Sequence, residues 1–176
     1  MSSPRNERVR REPGSLTPHS LEMEQAILGG ILVAEVGRQE ATSNPGLDAV
    51  TRVGLKPEHF YEPVHAKVFD LMLRLGAEQR AVTIFSLKPF LEEIEIAEGV
   101  TSSKYLAMLA GAAITAVNLP DYAKLVIELA RRRLLIDECG AVQTDVVSAT
   151  PDRTTEEMAA AAMQRLQAIA EIGRAH

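Results

Sequence analysis

Apolar residues in this chain recur at three- and four-residue spacing, the period of a helix with one buried face. Leu21, Leu28 and Leu32, with Ile27 and Ile31 beside them, predict a first helix capped by Ser20. Glu22 and Glu24 fall in its first turn, where carboxylates suit the helix dipole. Gly29 and Gly30 stand inside it. Each glycine costs a helix about 1 kcal/mol relative to Ala, so the pair predicts that another backbone comes close. Gly37 to Gly46 is polar and loop-like, and Leu47 to Val53 reads as a short helix. The run from Gly54 to Phe60 predicts a turn that delivers Phe60 to the core. Pro63 then opens a helix at a position where its missing N–H is not needed. Val64, Val68, Leu71 and Leu75 form the stripe of that helix, and Gly76 its expected end.

A fourth helix is expected over Ser86 to Ile94, with Ser86 as its cap and Pro89 in its first turn, where proline is tolerated. A fifth is expected from Ser103 to Ala113, burying Tyr105, Leu106 and Leu109. No segment alternates with period two, so no sheet is expected.

The last third has a different character. Asn118 is the expected cap of a long helix, with Pro120 and Asp121 in its first turn. Tyr122, Leu125, Val126, Leu129, Ile136, Cys139, Val142 and Val146 carry an apolar stripe to about Ser148. Such a helix has roughly 30 residues and spans ~45 Å. Pro151 and Asp152 make a turn, and Thr154-Thr155-Glu156-Glu157 has the form of a capping box. Met158, Ala162, Leu166 and Ile169 make a second stripe, so the two helices should pair as an antiparallel hairpin. The expected fold class is therefore all-α: a small helical globule over residues 18–117, followed by a long hairpin over 118–172. Residues 1–17 are expected to form a disordered basic tail, and 173–176 the start of a linker or a truncated end.

Composition sharpens the picture in two places. Aromatic residues are only 4 % and Trp is absent, which favours helix over sheet. Net charge is -5, unlike a self-contained nucleic-acid binder. The charge is uneven: Arg5, Arg8, Arg10 and Arg11 against Glu7 and Glu12 make the tail +2, which leaves -7 elsewhere. Any DNA contact through those four arginines should be weak and screened by salt. Cys139, the one cysteine, is expected in the core, with no disulfide available to it. No apolar run approaches a membrane span and no signal peptide is present, so a cytoplasmic location is expected.

Catalytic motifs are missing. A P-loop needs Gly-x-x-x-x-Gly-Lys followed by Ser or Thr, and no Gly-Lys pair occurs. No Gly-x-Gly-x-x-Gly occurs either. His19, His59, His65 and His176 do not pair at metal-ligand spacing. Glu62-Pro63-Val64-His65 matches half of a di-iron motif once, where two copies and two more carboxylates are needed. His65 reads instead as a half-exposed histidine. Arg131, Arg132 and Arg133 fan over roughly 200° of a helix and read as a solvated face or as ion pairs with Glu128 and Asp137. No cofactor and no metal site are expected.

Four stretches, taken in order, resemble the N-terminal domain of bacterial replicative DNA helicases of the DnaB type. They are the opening helix from Ser20 to Leu32, Leu55 to His65 with its aromatic turn and Pro-started helix, Tyr105 to Ala110, and Asn118 to Ala123. The resemblance covers about residues 16–172. Gly37 to Gly46 and Pro89 depart from the family pattern. The resemblance implies a helical globule whose hairpins pair into dimers, dimers that form a collar on a ring, and a collar that contacts primase. It also implies a RecA-like ATPase domain beyond a linker, which these 176 residues do not reach. The expectation is a non-catalytic assembly domain in DNA replication, with itself and primase or another primosome protein as partners. Leu125, Leu129, Ile136, Val146, Met158, Ala162, Leu166 and Ile169 are the expected interface residues. A stand-alone modulator of a helicase or primase is the alternative, and a helical DNA-binding regulator a third. The third would need a helix-turn-helix with a basic second helix, which the acidic body does not offer. With no phosphate cradle, calorimetry on this chain should show no saturable micromolar ATP binding.

Overall fold

The computed structural model describes residues 17–34, 44–91 and 99–174. Among the described residues seven helices follow one another: α1 (Leu21–Ala34), α2 (Pro45–Arg52), α3 (Pro63–Ala77), α4 (Ile84–Leu91), α5 (Ser102–Gly111), α6 (Leu119–Ser148) and α7 (Thr155–Arg174). A 3-10 turn over Pro57–His59 precedes α3, and no strand occurs among the described residues. The all-α class holds, as does the long terminal hairpin.

Helix α1 lies at the centre and packs against α2, α3, α5 and α6. Ile27, Leu28 and Ile31 are fully buried on it. The glycine pair performs the expected task. A Cβ on Gly29 would stand 1.9 Å from the Leu109 carbonyl oxygen of α5. A Cβ on Gly30 would stand 2.8 Å from a Leu119 methyl and 3.0 Å from the Ile114 carbonyl oxygen. So the end of α5, the connection after it and the start of α6 all lie directly on the α1 backbone. Val68, Phe69 and Met72 of α3, Leu87 and Leu91 of α4, and Leu106 and Leu109 of α5 complete the core. Phe60 is buried as expected and its ring lies 5.1 Å from that of Phe69. The first turns of α6 belong to the same core through Leu119, Ala123, Val126 and Ile127.

Caps explain the helix starts and correct several sequence expectations. Ser20 Oγ accepts from the Met23 N–H at 3.3 Å, as expected. Helix α2 begins at Pro45 rather than Leu47, and the Asn44 side chain before it is used elsewhere: it accepts from the Val82 N–H at 3.1 Å. Gly76 lies inside the last turn of α3 and does not end it. A Cβ there would stand 2.8 Å from Leu47, and the left-handed residue comes later, at Gln79. Helix α4 starts two residues before Ser86. Thr83 is its cap, with the Ser86 N–H donating to Thr83 Oγ1 at 3.1 Å and the Thr83 N–H donating to Ser86 Oγ at 2.9 Å. Pro89 therefore falls in the second turn, inside the helix. The expected end at Ile94 lies outside the described residues, as does most of the expected loop from Gly37 to Gly46. Thr101 caps α5 by accepting from the Lys104 N–H at 3.3 Å. Asn118 precedes α6 but its side chain makes no capping hydrogen bond.

Two glycine substitutions separate propensity from packing. Gly29→Ala should destabilise the chain by about 1–3 kcal/mol or more, because the obstacle is backbone and cannot rotate away. Gly140→Ala, where a Cβ meets nothing within 4 Å, should stabilise by about 0.5–1 kcal/mol. Urea titration of both variants checks the opposite signs.

Candidate protein-interaction surface

Beyond Ile127 the long helix leaves the core. No described side chain from 128 to 171 is buried, although α6 and α7 occupy most of that stretch. The capping box that opens α7 is formed as expected: the Thr154 N–H donates to Glu157 Oε2 at 2.9 Å and the Glu157 N–H donates to Thr154 Oγ1 at 3.3 Å. The two helices then pack along each other.

Their seam is thin. Ala141 and Val142 of α6 are half-buried, as are Met158, Ala161, Ala162, Leu166 and Ile169 of α7. Arg165 brackets the seam, with Nε on Glu138 and Nη1 donating to Asp145 Oδ2 at 2.6 Å. Sequence reasoning missed this bracket because its members are 20 and 27 residues apart.

The single apolar stripe expected on α6 divides into two. Successive helical residues turn by ~100°. Measured from Leu125, the positions of Leu129, Ile136, Cys139 and Val147 lie within about 40°, while Glu138, Ala141, Val142 and Asp145 lie about 100–160° away. The second group faces α7. The first group is on the back of the hairpin, and Leu125, Ile136 and Val147 are 48 %, 51 % and 79 % exposed. Cys139 is exposed on that face, against the expectation of a core position. Val146 is on the shoulder between the groups and borders the seam near Met158 and Ala162. Of the eight expected interface residues, Met158, Ala162, Leu166 and Ile169 thus line the hairpin's own seam. Leu125 and Ile136, with half-buried Leu129, form the outward stripe. The four tail arginines lie outside the described residues.

A joint fixes where the hairpin leaves the globule. The Arg133 guanidinium donates to the Pro18 carbonyl at 2.9 Å and to the His59 carbonyl at 2.8 Å. Its carbon stands 5.7 Å from the centre of the Tyr61 ring, on which His19 stacks at 4.0 Å. Arg133 is therefore not part of a solvated face, although Arg132 pairs with Glu128 at 3.1 Å as expected. Tyr61 is held in turn from below. Glu24, almost fully buried, accepts from the Tyr61 N–H at 2.7 Å, from the Glu62 N–H at 3.2 Å and from His65 Nδ1 at 2.7 Å. His65 is buried by that contact, not half-exposed. The described residues contain no cluster of metal-ligating groups. No described helix is long and apolar enough to cross a membrane.

The family model of the DnaB-like helicase N terminal domain matches residues 16–128, the globule and the start of α6. The chain belongs to this family. Replicative DNA helicase DnaB of Rickettsia felis is 30 % identical over 120 residues, 68 % of this chain and 22 % of that helicase. Replicative DNA helicase DnaB of Rickettsia bellii is 28 % identical over 156 residues, 89 % of this chain and 29 % of that helicase. An alignment of that length necessarily takes in all of α6. The chain thus spans less than a third of these DnaB relatives. The crystal structure of the N-terminal domain of DnaB helicase from Mycobacterium tuberculosis is similar with a TM-score of 0.68 at 25 % identity, over 85 % of this chain and 97 % of that one.

Arg133 offers the sharpest test of the joint within this DnaB-type domain. Arg133→Ala removes two charge-assisted hydrogen bonds and should cost about 1.5–3 kcal/mol in urea unfolding. Arg133→Lys should recover little, because an ammonium cannot reach two diverging carbonyls with a planar fork. Amide exchange at His19 and Tyr61 should rise in both variants.

Proposed function

We propose that this chain is a non-catalytic assembly domain of a replicative helicase, and that it assembles through the back of the α6–α7 hairpin against a second copy of itself. One observation carries the reading. The stripe of Leu125, Leu129, Ile136 and Val147 faces away from α7, on a helix whose outer two thirds bury no side chain. Apolar surface presented in a row of this kind marks a partner site. Its steps of four, seven and eleven residues return to one face of α6, which suits packing along a like helix. Contact with primase or another primosome protein belongs to the same reading and is supported by family membership. DNA contact by this chain is limited in this reading to weak, salt-screened attraction at Arg5, Arg8, Arg10 and Arg11.

Sedimentation of the chain should show a dimer or larger species. The double variant Ile136→Asp with Val147→Asp should be monomeric, with unchanged helical circular dichroism. Leu166→Ala, in the hairpin seam, should instead lower stability toward the lower end of ~2–5 kcal/mol, since it is only half-buried. A parent chain that stays monomeric at high micromolar concentration, with α6 intact, would remove the assembly role.

A further inference from the structure

The outward row on α6 also carries a direction. Its most exposed aliphatic residues are Leu125, Ile136 and Val147, and Ile136 stands eleven residues from each of the other two. Eleven residues are about three helical turns, or ~16 Å. Leu129 and Gln143, seven residues on either side of Ile136, lie within about 40° of Leu125 around the helix. A half-turn about an axis through Ile136 therefore carries Leu125 onto the place of Val147 and Leu129 onto that of Gln143.

The row is open along that whole length. Leu119, Ala123, Val126 and Ile127, which bury the start of α6 in the globule, lie about 100–160° from Leu125, as the seam residues do. Globule and α7 thus occupy one side of α6 and leave the other side clear from Leu125 to Val147.

Gly140 is a second, independent observation. It lies inside α6, about 60° from Leu125, and a Cβ there would meet nothing within 4 Å. A glycine in a helix interior costs about 1 kcal/mol relative to Ala. Gly29, Gly30 and Gly76 each have a neighbour that occupies the space of the missing side chain, and Gly140 has none among the described residues. A helix crossing from outside the fold supplies the reason. The half-turn through Ile136 sets Gly140 opposite Arg132, an exposed side chain about 20° from Leu125 on the row. A parallel pair would instead set Arg132 against the partner's Arg132 and Glu128 against the partner's Glu128, and would bring like ends of two long helix dipoles together.

We infer that two copies pair antiparallel across a two-fold axis at Ile136, with Leu125 on the partner's Val147, Ile136 on the partner's Ile136 and Arg132 across the partner's Gly140. Such a contact is isologous and closes at two copies. The inference rests on the assembly reading and fixes the register within it.

Disulfide trapping reads the register, since a disulfide needs Cα atoms about 4–7 Å apart. In the unaltered chain Cys139 stands three residues from the axis, so the two copies of it lie ~9 Å apart along the helices and should not cross-link on mild oxidation. On a Cys139→Ser background, Ile136→Cys should give a covalent dimer and Leu125→Cys alone should not. Leu125→Cys with Val147→Cys should give one, through a disulfide between positions 125 and 147. Those positions are ~33 Å apart within one helix, so the link can only join two copies. Gly140→Leu should weaken association about tenfold in sedimentation by crowding the crossing, although it raises the helix propensity of the chain. Covalent dimers from Leu125→Cys alone, or from Cys139 in the unaltered chain, would overturn the antiparallel register in favour of a parallel one. A non-covalent dimer whose double cysteine variant forms no disulfide would overturn it as well, as would undiminished association of Gly140→Leu. Each of these outcomes requires a dimer, so each is distinct from a chain that sediments as a monomer, which would remove the assembly reading itself.

Discussion

The close passage of α1 under α5 and the start of α6 is the constraint on which the other placements depend. At Gly29 the Leu109 carbonyl oxygen occupies the space of a side chain. At Gly30 the Ile114 carbonyl and the Leu119 side chain do so. Two adjacent glycines in one helix are expensive for that helix, at about 1 kcal/mol each. The return is geometric. The origin of α6 is fixed against the most buried helix of the globule, so contacts at its first two turns anchor one end of some 45 Å of helix. A small rotation there would displace the hairpin tip by several times as much as its base.

That leverage explains the second layer of contacts. Glu24, five residues before the glycine pair on α1, collects two backbone N–H groups and His65 in a buried site. A buried carboxylate is tolerable only when its acceptor sites are filled, and here each partner comes from the segment Tyr61 to His65. The turn is thereby fixed to α1, and Tyr61 with it. Tyr61 carries His19 on its ring and stands beside Arg133, which reaches back to Pro18 and His59. One line of contacts runs from the centre of the globule to α6 fourteen residues after it begins. The hairpin is held at two points, and two points define a direction where one would not.

Much of this was legible in the sequence. The Gly29-Gly30 pair announced a close approach, Pro63 announced a helix start, and the box at Thr154 to Glu157 announced α7 to the residue, because each rests on local backbone chemistry. What the sequence concealed was partnership across distance. Glu24 looked like a first-turn carboxylate and His65 like a surface histidine, since their spacing of 41 residues has no local signature. Arg133 looked solvated because its two acceptors are carbonyls, which every residue carries. Ser86 looked like a cap because it is a good one in isolation, but Thr83 reciprocates with it and takes the role three residues earlier than expected. The long stripe on α6 was read as one face because apolar residues at helical spacing were gathered into a single set. In a straight helix, Val142 and Ile136 lie more than 100° apart and cannot serve the same neighbour.

The division of that stripe bears on why the hairpin has the composition it does. Small residues, Ala141, Ala161 and Ala162, let α6 and α7 approach, but they bury little apolar area. The bracket from Arg165 to Glu138 and Asp145 is partly solvated, and such pairs contribute ~0–1 kcal/mol each, so they fix register more than they stabilise. Most helical stability in proteins comes from packing an amphipathic face. A seam this thin holds a hairpin in shape without strongly stabilising it. The aliphatic side chains of Leu125, Ile136 and Val147 are instead placed on the opposite face, where no described residue buries them. A sequence that only closed its own hairpin would have no use for large apolar groups on the outer face, yet α6 carries three there besides the Val142, Met158, Leu166 and Ile169 of the seam. Under the proposed assembly, that outer row is where a second copy supplies the packing that the thin seam lacks.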